Sequence, residues 1–228
     1  MATGPPPTAA TDAEGGRPLS ARDEVYEIVR TRLTSGHYGP EDALVPGTLS
    51  AEFAVSRTPV REALGLLERD GLLKGTSRGF VPWIRSDEEV LEIFEVRAIL
   101  DSSAAAAAAQ RRTDVDLARL GEISQRARDA GDIVDLRAYL NLWHDAVRRA
   151  AHNDTISSLL HTLEAHVKVA APWHPGDSTT TRPAEDRLAE HDAVLAAIVD
   201  RDSERARTCM LDHLAHDQRV RVRQRALR

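Results

Sequence analysis

The stretch VSRTPVREALGLLERDGLL, residues 55–73, limits the fold more than any other part of the sequence. Thr58 can cap a helix there. Pro59 suits the first helical position, because backbone N–H groups in the first turn of a helix have no intrahelical partner and proline has no N–H to lose. Gly71 then ends the helix. Apolar residues recur at helical spacing and predict one buried face, made of Val60, Ala63, Leu64, Leu67 and Leu72.

Helical patterns before this stretch and a hairpin pattern after it complete a small domain. Ser20 precedes a first helical run, and TLSAEFAV is a short apolar helix entered through Pro46 and Gly47. In LLKGTSRGFVPWI, two apolar runs flank a glycine-bearing tip at residues 75–79, which predicts a β-hairpin. Three helices and a hairpin predict a winged helix-turn-helix domain over residues 19–82.

After Ser86 the sequence shows only helical patterns. The predicted helices are at about 87–111, 114–130, 133–152, 154–171, 183–200 and 202–226. Residues 83–86 are expected to be a linker, and residues 87–228 an all-α six-helix bundle. The fold class is therefore mainly α, with a small β-hairpin wing on the N-terminal domain.

Two segments carry neither a helical nor a strand pattern. Residues 1–18 are rich in Pro, Gly, Ala and Thr, which predicts a disordered tail. The loop PWHPGDSTTTRP at residues 172–183 is longer than a connection between bundle helices needs, which indicates a lid.

Charge and cysteine content exclude several functional classes. The formal net charge of −6 argues against a general polyanion binder, so a contact with nucleic acid has to come from a local basic patch. The single cysteine, Cys209, excludes a disulfide framework and zinc sites built from cysteine pairs. No apolar run approaches about eighteen residues and no signal-peptide pattern is present, so we expect a cytoplasmic protein that contacts no membrane.

The N-terminal end of the helix in residues 55–73 carries candidate DNA-reading side chains. The recognition helix of a helix-turn-helix presents this end to the major groove. Arg57 and Arg61 share one helical face, and an arginine can bridge guanine O6 and N7 with two hydrogen bonds. Ser56 and Thr58, with the backbone donors of the helix start, suit phosphate oxygens.

The hairpin tip adds two further candidates. Arg78 and Gly79 would let a wing approach the minor groove or the DNA backbone. The alternative for the two helix arginines is that they are solvated charges, paired with Glu62, Glu68 or Asp70.

Three histidines lie on inward faces of predicted bundle helices. His144 shares its face with Val147, His191 shares its face with Ile198, and His213 follows Met210 by three residues. Imidazoles that converge from separate helices would make a divalent metal site. The alternative is that each histidine is an ordinary hydrogen-bonded residue of the core or of its edge.

The sequence VSRTPVREAL followed by LERDGLL resembles the N-terminal domain of GntR-family bacterial transcription regulators, over about residues 20–82. The resemblance implies that Arg57, Thr58 and Arg61 contact operator DNA, with Ser56 beside them. It also implies that the tip of the wing touches the groove.

This chain departs from the family pattern at two places. Pro46 and Gly47 stand where family members commonly carry a glutamate, often followed by a basic residue, at the start of the second helix. One phosphate contact of the family therefore has no counterpart at these positions. Ala54 replaces the glycine that is usual in the turn.

The C-terminal half is similar to the helical FCD effector domain that follows the GntR winged helix, through FEVRAIL, WHDAVRRAAHN, AEHDAVLAAIVDRD and ARTCMLDHL. The resemblance implies that His144, His191 and His213 hold a divalent metal beside a bound carboxylate effector. Zinc, nickel and manganese all accept nitrogen-rich coordination, and the ligands do not select among them. Six helices resemble the VanR-type branch more than the seven-helix FadR-type branch.

Two further positions bear on this site. The family usually places Asp or Asn four residues before the first histidine, where this chain has Leu140, so Asn141 is the candidate fourth ligand. An inward arginine is costly unless it meets an anion, and the resemblance implies that Arg97 faces the cavity and clamps a ligand carboxylate. The alternative is that Arg97 forms a salt bridge with Glu95 or Asp101.

These features together predict a ligand-responsive transcription regulator that acts as a repressor and is not an enzyme. It would bind a pseudo-palindromic operator in double-stranded DNA as a homodimer and take a small organic acid as effector. Two other classes stay open. One is a metal-dependent hydrolase that uses the histidines, although no HExxH spacing accompanies them. The other is an adaptor whose winged helix contacts proteins instead of DNA.

Overall fold

The computed structural model describes residues 20–170, 172 and 183–225. The tail predicted over residues 1–18 lies outside the described residues. So does the lid predicted over residues 172–183, apart from its two terminal prolines.

The N-terminal part forms the expected three helices and hairpin. The helices are α1 (Ala21–Thr34), α2 (Pro46–Glu52) and α3 (Arg57–Arg69), and the strands are β1 (Leu73–Thr76) and β2 (Gly79–Pro82). The strands pair antiparallel, with Leu73 opposite Pro82 and Thr76 opposite Gly79. The five predicted apolar positions of the α3 region are all buried.

Helix α3 begins at Arg57, so the prediction that Thr58 caps it was wrong. Ser56 is the N-cap, with extended backbone angles, and its side chain makes no capping hydrogen bond. Thr58 and Pro59 are the second and third helical residues. Proline is tolerated throughout the first turn because none of these N–H groups has an intrahelical acceptor, so its position does not define the first residue.

The wing is held against the rest of the domain by a backbone bridge between Leu44 and Phe80, with N–O distances of 2.7 and 3.1 Å. Gly79 lies at this bridge with φ of 137°, and a Cβ at this position would lie 2.7 Å from the Leu44 carbonyl oxygen. The glycine is therefore required by the close approach of two backbones.

The C-terminal part is the expected bundle of six helices. Their observed ends lie within two residues of the predicted ones. They are α4 (Asp87–Arg111), α5 (Asp114–Arg128), α6 (Ile133–Ala150), α7 (Asp154–Ala170), α8 (Ala184–Val199) and α9 (Ser203–Arg225). The alanine run of α4 is a packed helix face, because Ala104, Ala105, Ala108 and Ala109 are fully buried. No described helix is long and apolar enough to cross a membrane.

Helix α7 contacts both parts of the chain. Ala165 and Val169 join the apolar core of the N-terminal domain. Val167, on another face, packs with Ile93 and Phe94 of α4. The two parts of the molecule are therefore packed together across α7.

Candidate functional site

The structure brings the three predicted histidines together. His144 comes from α6, His191 from α8 and His213 from α9, and one ring nitrogen of each lies within 4.8 Å of the other two. The Nε2 atoms of His144 and His213 are 3.2 Å apart. His191 and His213 are only 4% and 2% exposed.

Two of these rings are oriented by hydrogen bonds on their outer sides. The Nδ1 of His213 donates to Oε2 of Glu190 at 2.9 Å, and the Nδ1 of His191 donates to the backbone carbonyl of Arg187 at 2.7 Å. The Nε2 of His191 is buried and accepts no hydrogen bond from the described residues. Both Nε2 lone pairs consequently point into the cluster, where the Nε2 of His213 faces the Nε2 of His144.

This donor set fits a divalent transition metal. Two nitrogens at about 2.0–2.1 Å from a tetrahedral ion lie about 3.3 Å apart, close to the observed spacing of His144 and His213. Burial lowers the pKa of His144, and burial lowers the pKa of His191 to about 3. Both rings are therefore neutral near pH 7, which is the form that binds a metal.

A cavity of about 100 Å³ lies beside the histidines. Four basic side chains from four helices line it, together with the carboxylate of Glu164. The basic residues are Arg97, Arg137, Lys168 and Arg187. Positive charges in such an excess favour an anionic ligand.

Asn141 also lines this cavity, next to His144. Leu140, at the position where the family usually has Asp or Asn, is buried and packs with Ala127 and Leu136. The side chain of Leu140 offers no ligand atom. Both residues line the cavity, but only Asn141 has a side-chain oxygen that could reach a bound ion.

Arg97 lies at the edge of this cavity and also forms one of the salt bridges that the sequence offered as an alternative. Its Nη2 lies 3.6 Å from Oδ2 of Asp101, and its guanidinium carbon lies 5.7 Å from the centre of the Phe94 ring. The same side chain lines the cavity, and its Nε is buried without a partner among the described residues. A salt bridge to Asp101 and a position facing the cavity are therefore both present.

A buried charge network behind Arg97 was missed by sequence reasoning. Arg148 is 3% exposed, and its Nε lies 2.9 Å from Oδ1 of Asp101. Its Nη1 lies 2.6 Å from Oε2 of Glu164. Burial alone would raise the pKa of Glu164, but Lys168 and Arg148 outweigh it and hold that pKa well below its usual range. Spacing could have placed Arg148 on the inward face of α6, four residues after His144, but it could not have identified its partners on α4 and α7.

The predicted DNA-reading residues lie on an exposed surface at the start of α3. Ser56, Arg57, Thr58 and Arg61 are all exposed. These four residues are close together because they are consecutive or one turn apart at the start of α3. The guanidinium of Arg57 also extends over Gly47, where an added Cβ would lie 3.9 Å from its Nε.

Two of the acidic residues that could pair with these arginines contact other groups. Glu68 accepts a hydrogen bond from the backbone N–H of Gly75 at 2.8 Å, and Asp70 accepts one from Tyr26 at 2.7 Å. Among the described residues, neither Arg57 nor Arg61 forms a salt bridge. At the wing tip, Arg78 is exposed, whereas Gly79 is half-buried against Leu44.

Two family models match the chain. The model described as bacterial regulatory proteins, gntR family, matches residues 21–79, and the FCD domain matches residues 92–216. The uncharacterized HTH-type transcriptional regulator YdhC of Bacillus subtilis is 25% identical over 199 residues, which cover 85% of this chain and 88% of that protein. The HTH-type transcriptional repressor GlaR of Escherichia coli is 26% identical over 205 residues, which cover 83% and 90%.

A solved structure shares the fold. Escherichia coli McbR/YncC superposes with a TM-score of 0.75 at 23% identity, covering 90% of this chain and 99% of that one. The FCD match alone spans more than half of the chain. These domains and relatives are those of transcriptional regulators and not of enzymes, which argues against a hydrolase. The chain therefore belongs to the GntR family of transcription regulators, with an N-terminal DNA-binding helix-turn-helix domain and a C-terminal FCD effector-binding domain.

Proposed function

We propose that this protein is a ligand-responsive repressor that binds a pseudo-palindromic operator as a homodimer and takes a small organic acid beside a divalent metal. The observation that carries the proposal is the position of three converging histidines next to a cavity lined by four basic side chains. The cavity lies in the domain that packs, through α7, against the DNA-binding domain. The repressor role is supported by the name of the relative GlaR.

The histidine cluster is the proposed metal site. His144, His191 and His213 would hold the ion, and Asn141 is the candidate for a fourth ligand. A bound zinc, nickel or manganese ion would supply positive charge and open coordination positions for a carboxylate. Arg97 is proposed to clamp the same carboxylate, with Asp101 holding its guanidinium on the other side.

The start of α3 is the proposed DNA-reading surface. Arg57 and Arg61 would donate to guanine edges, and Ser56 and Thr58 to phosphate oxygens. At the wing, Arg78 is the proposed contact to the groove. Gly79 has a structural reason to be glycine, and its proposed part in DNA binding is to let the wing backbone approach.

In a cytoplasmic homodimer, regulation would come from thermodynamic linkage between the effector site and the DNA-binding surface. If a ligand binds one relative arrangement of the two DNA-binding domains better, DNA affinity must change by the same coupling energy, typically about 1–3 kcal/mol. Half-sites would be spaced by the geometry of the dimer. No catalysis is needed.

The metal is tested by the metal content of purified protein. We expect His191→Ala to remove most of the bound ion, because it deletes a buried donor whose Nε2 faces the cluster. His37→Ala, which changes an exposed histidine of the DNA-binding domain, is the matched control. Equal metal stoichiometry in the wild-type protein and the His191 variant would show that the ligand set is wrong.

The DNA-binding role is tested by selecting bound genomic fragments with the purified protein. A shared palindromic sequence and an affinity that falls steeply with salt are expected of a repressor that contacts phosphates. An adaptor would enrich no sequence and would show no such dependence on salt.

A further inference from the structure

Glu190 of α8 joins two imidazoles of α9. Its Oε2 accepts a hydrogen bond from Nδ1 of His213 at 2.9 Å, and its Oε1 accepts one from Nδ1 of His216 at 2.6 Å. His213 is buried inside the cluster, whereas the side chain of His216 is 47% exposed. One carboxylate thus links the buried site to the surface of the bundle.

These contacts determine which nitrogen of His213 faces the cluster. A carboxylate accepts hydrogen bonds and does not donate them, so the Nδ1 of His213 carries the proton. The lone pair of the neutral ring is then on Nε2, the atom that lies 3.2 Å from Nε2 of His144. The hydrogen bond therefore selects both the tautomer and the orientation that a metal ligand needs.

The three histidines differ in what holds them. The Nδ1 of His191 donates to a backbone carbonyl, which no substitution of a side chain removes. The Nδ1 of His144 is buried without a hydrogen-bond partner among the described residues. Among the described residues, Glu190 is a charged side chain that holds a ring of the cluster from its outer side, through its contact to His213.

We propose that Glu190 is a positioning residue of the histidine site, which fixes the His213 ring and strengthens binding of a divalent cation without coordinating it. Its negative charge makes the imidazole a more basic ligand, and a carboxylate behind a metal-bound histidine is a recurrent arrangement. His216 holds the other carboxylate oxygen and so limits rotation of the Glu190 side chain. The inference rests on the proposed metal site.

The first test is a competition between the full-length protein and a chromophoric chelator for Zn²⁺. We expect Glu190→Ala to weaken Zn²⁺ binding about 10- to 100-fold at unchanged stoichiometry. Glu190→Gln, which keeps an acceptor oxygen and loses the charge, is expected to give a smaller loss. Glu185→Gln is the matched control, because Glu185 is an exposed residue in the first turn of the same helix.

The stoichiometry separates a positioning residue from a ligand. His191→Ala should lower the number of ions bound, whereas Glu190→Ala should lower only the affinity. An affinity of Glu190→Ala within twofold of the wild-type value would overturn the inference. A loss of stoichiometry equal to that of His191→Ala would also overturn it, because Glu190 would then be a ligand itself.

A second readout needs no metal. Long-range ¹H–¹⁵N NMR spectra of the metal-free protein report which ring nitrogen of His213 carries the proton. We expect protonation at Nδ1 in the wild-type protein and a mixture of tautomers in Glu190→Ala; identical spectra would overturn the positioning role. If the wild-type protein binds no Zn²⁺, the proposed metal site fails, while these spectra still decide whether Glu190 orients the ring.

Discussion

The Nε2 of His166, in α7, donates a hydrogen bond of 2.6 Å to the backbone carbonyl of Asp70, the C-cap residue of α3. The carboxylate of Asp70 accepts a second hydrogen bond from the hydroxyl of Tyr26 in α1. The C-terminal end of α3, the proposed DNA-reading helix, is thus held by its own domain and by the effector domain. The opposite end, with Arg57 and Arg61, is exposed.

The His166 contact should contribute measurably to stability. His166→Ala removes the donor to a partly buried carbonyl, and we expect the free energy of unfolding to fall by about 1–3 kcal/mol. Urea unfolding measures this change. His161→Ala is the control, since His161 contacts Arg30 through its backbone carbonyl, which the substitution keeps. A loss no larger than that of the control would contradict a stabilising role for this bond.

The metal-free protein should lose stability as the pH falls below about 6.5. Burial lowers the pKa of His166, and burial lowers the pKa of His191 to about 3. The unfolded chain then binds more protons than the folded one, so the free energy of unfolding rises with pH. The titration of these histidines does not affect the free energy of unfolding above the unfolded pKa of about 6.5, and this free energy falls progressively as the pH decreases toward 3.

Urea unfolding of chelator-treated protein between pH 7.5 and pH 5 tests this dependence. His191→Asn should flatten the curve, because it removes a titrating group with a strongly lowered pKa. Equal slopes for the wild-type protein and the variant would contradict the burial of a neutral His191.

The turn between α2 and α3 contains an alanine in a conformation that favours glycine. Ala54 has φ of 54°, in the left-handed region. A residue with a Cβ costs about 1–2 kcal/mol there, partly offset by the lower unfolded entropy of alanine. Ala54→Gly should therefore raise the free energy of unfolding by about 1 kcal/mol.

The control for this change is an alanine in helical backbone. Ala51 is exposed within α2, and Ala51→Gly should lower the free energy of unfolding by about 0.5–1 kcal/mol. Chemical unfolding of both variants checks the opposite signs. Destabilisation by both substitutions would mean that Ala54 is not strained.

Local signals in the sequence were enough to predict most of the fold, whereas the contacts between distant residues could not be predicted from them. Ser20 caps α1 because its hydroxyl oxygen accepts a hydrogen bond from the backbone N–H of Asp23, and such a signal needs only neighbouring residues. The start of α3 was misplaced because Ser56 and Thr58 are both common N-cap residues and lie two positions apart.

The candidate site divides in the same way. An inward histidine on an amphipathic helix is visible in the sequence. The convergence of His144, His191 and His213 could therefore be predicted together with the helical bundle. The partners of Arg148 and the bridge made by Glu190 depend on which helices are neighbours and how each is rotated. Spacing along one helix cannot supply either fact.

The exposed end of α3 makes a prediction about sequence specificity. Arg61→Ala should reduce discrimination between the operator and a mismatched duplex by about 1–3 kcal/mol, because one bidentate contact to guanine is lost. Binding isotherms on both duplexes at fixed salt measure the difference. Arg69→Ala, an exposed arginine at the other end of the same helix, should weaken binding to both duplexes by the same small factor or leave it unchanged.

The buried ion pair between Arg148 and Asp101 should be the most sensitive point of the bundle. Asp101 is 1% exposed, so Arg148→Met would leave its carboxylate buried beside only the longer contact from Arg97. Breaking a buried pair in this way costs about 3–5 kcal/mol. The double variant with Asp101→Leu should recover only part of this loss, because it removes the unpaired Asp101 carboxylate but takes one partner each from Arg97 and Glu164. Arg149→Ala on the exposed face of α6 should have little effect. Urea unfolding of the wild-type protein, the Arg148→Met and Asp101→Leu single variants and the double variant gives the coupling energy, and additive losses would show that the two charges do not stabilise each other.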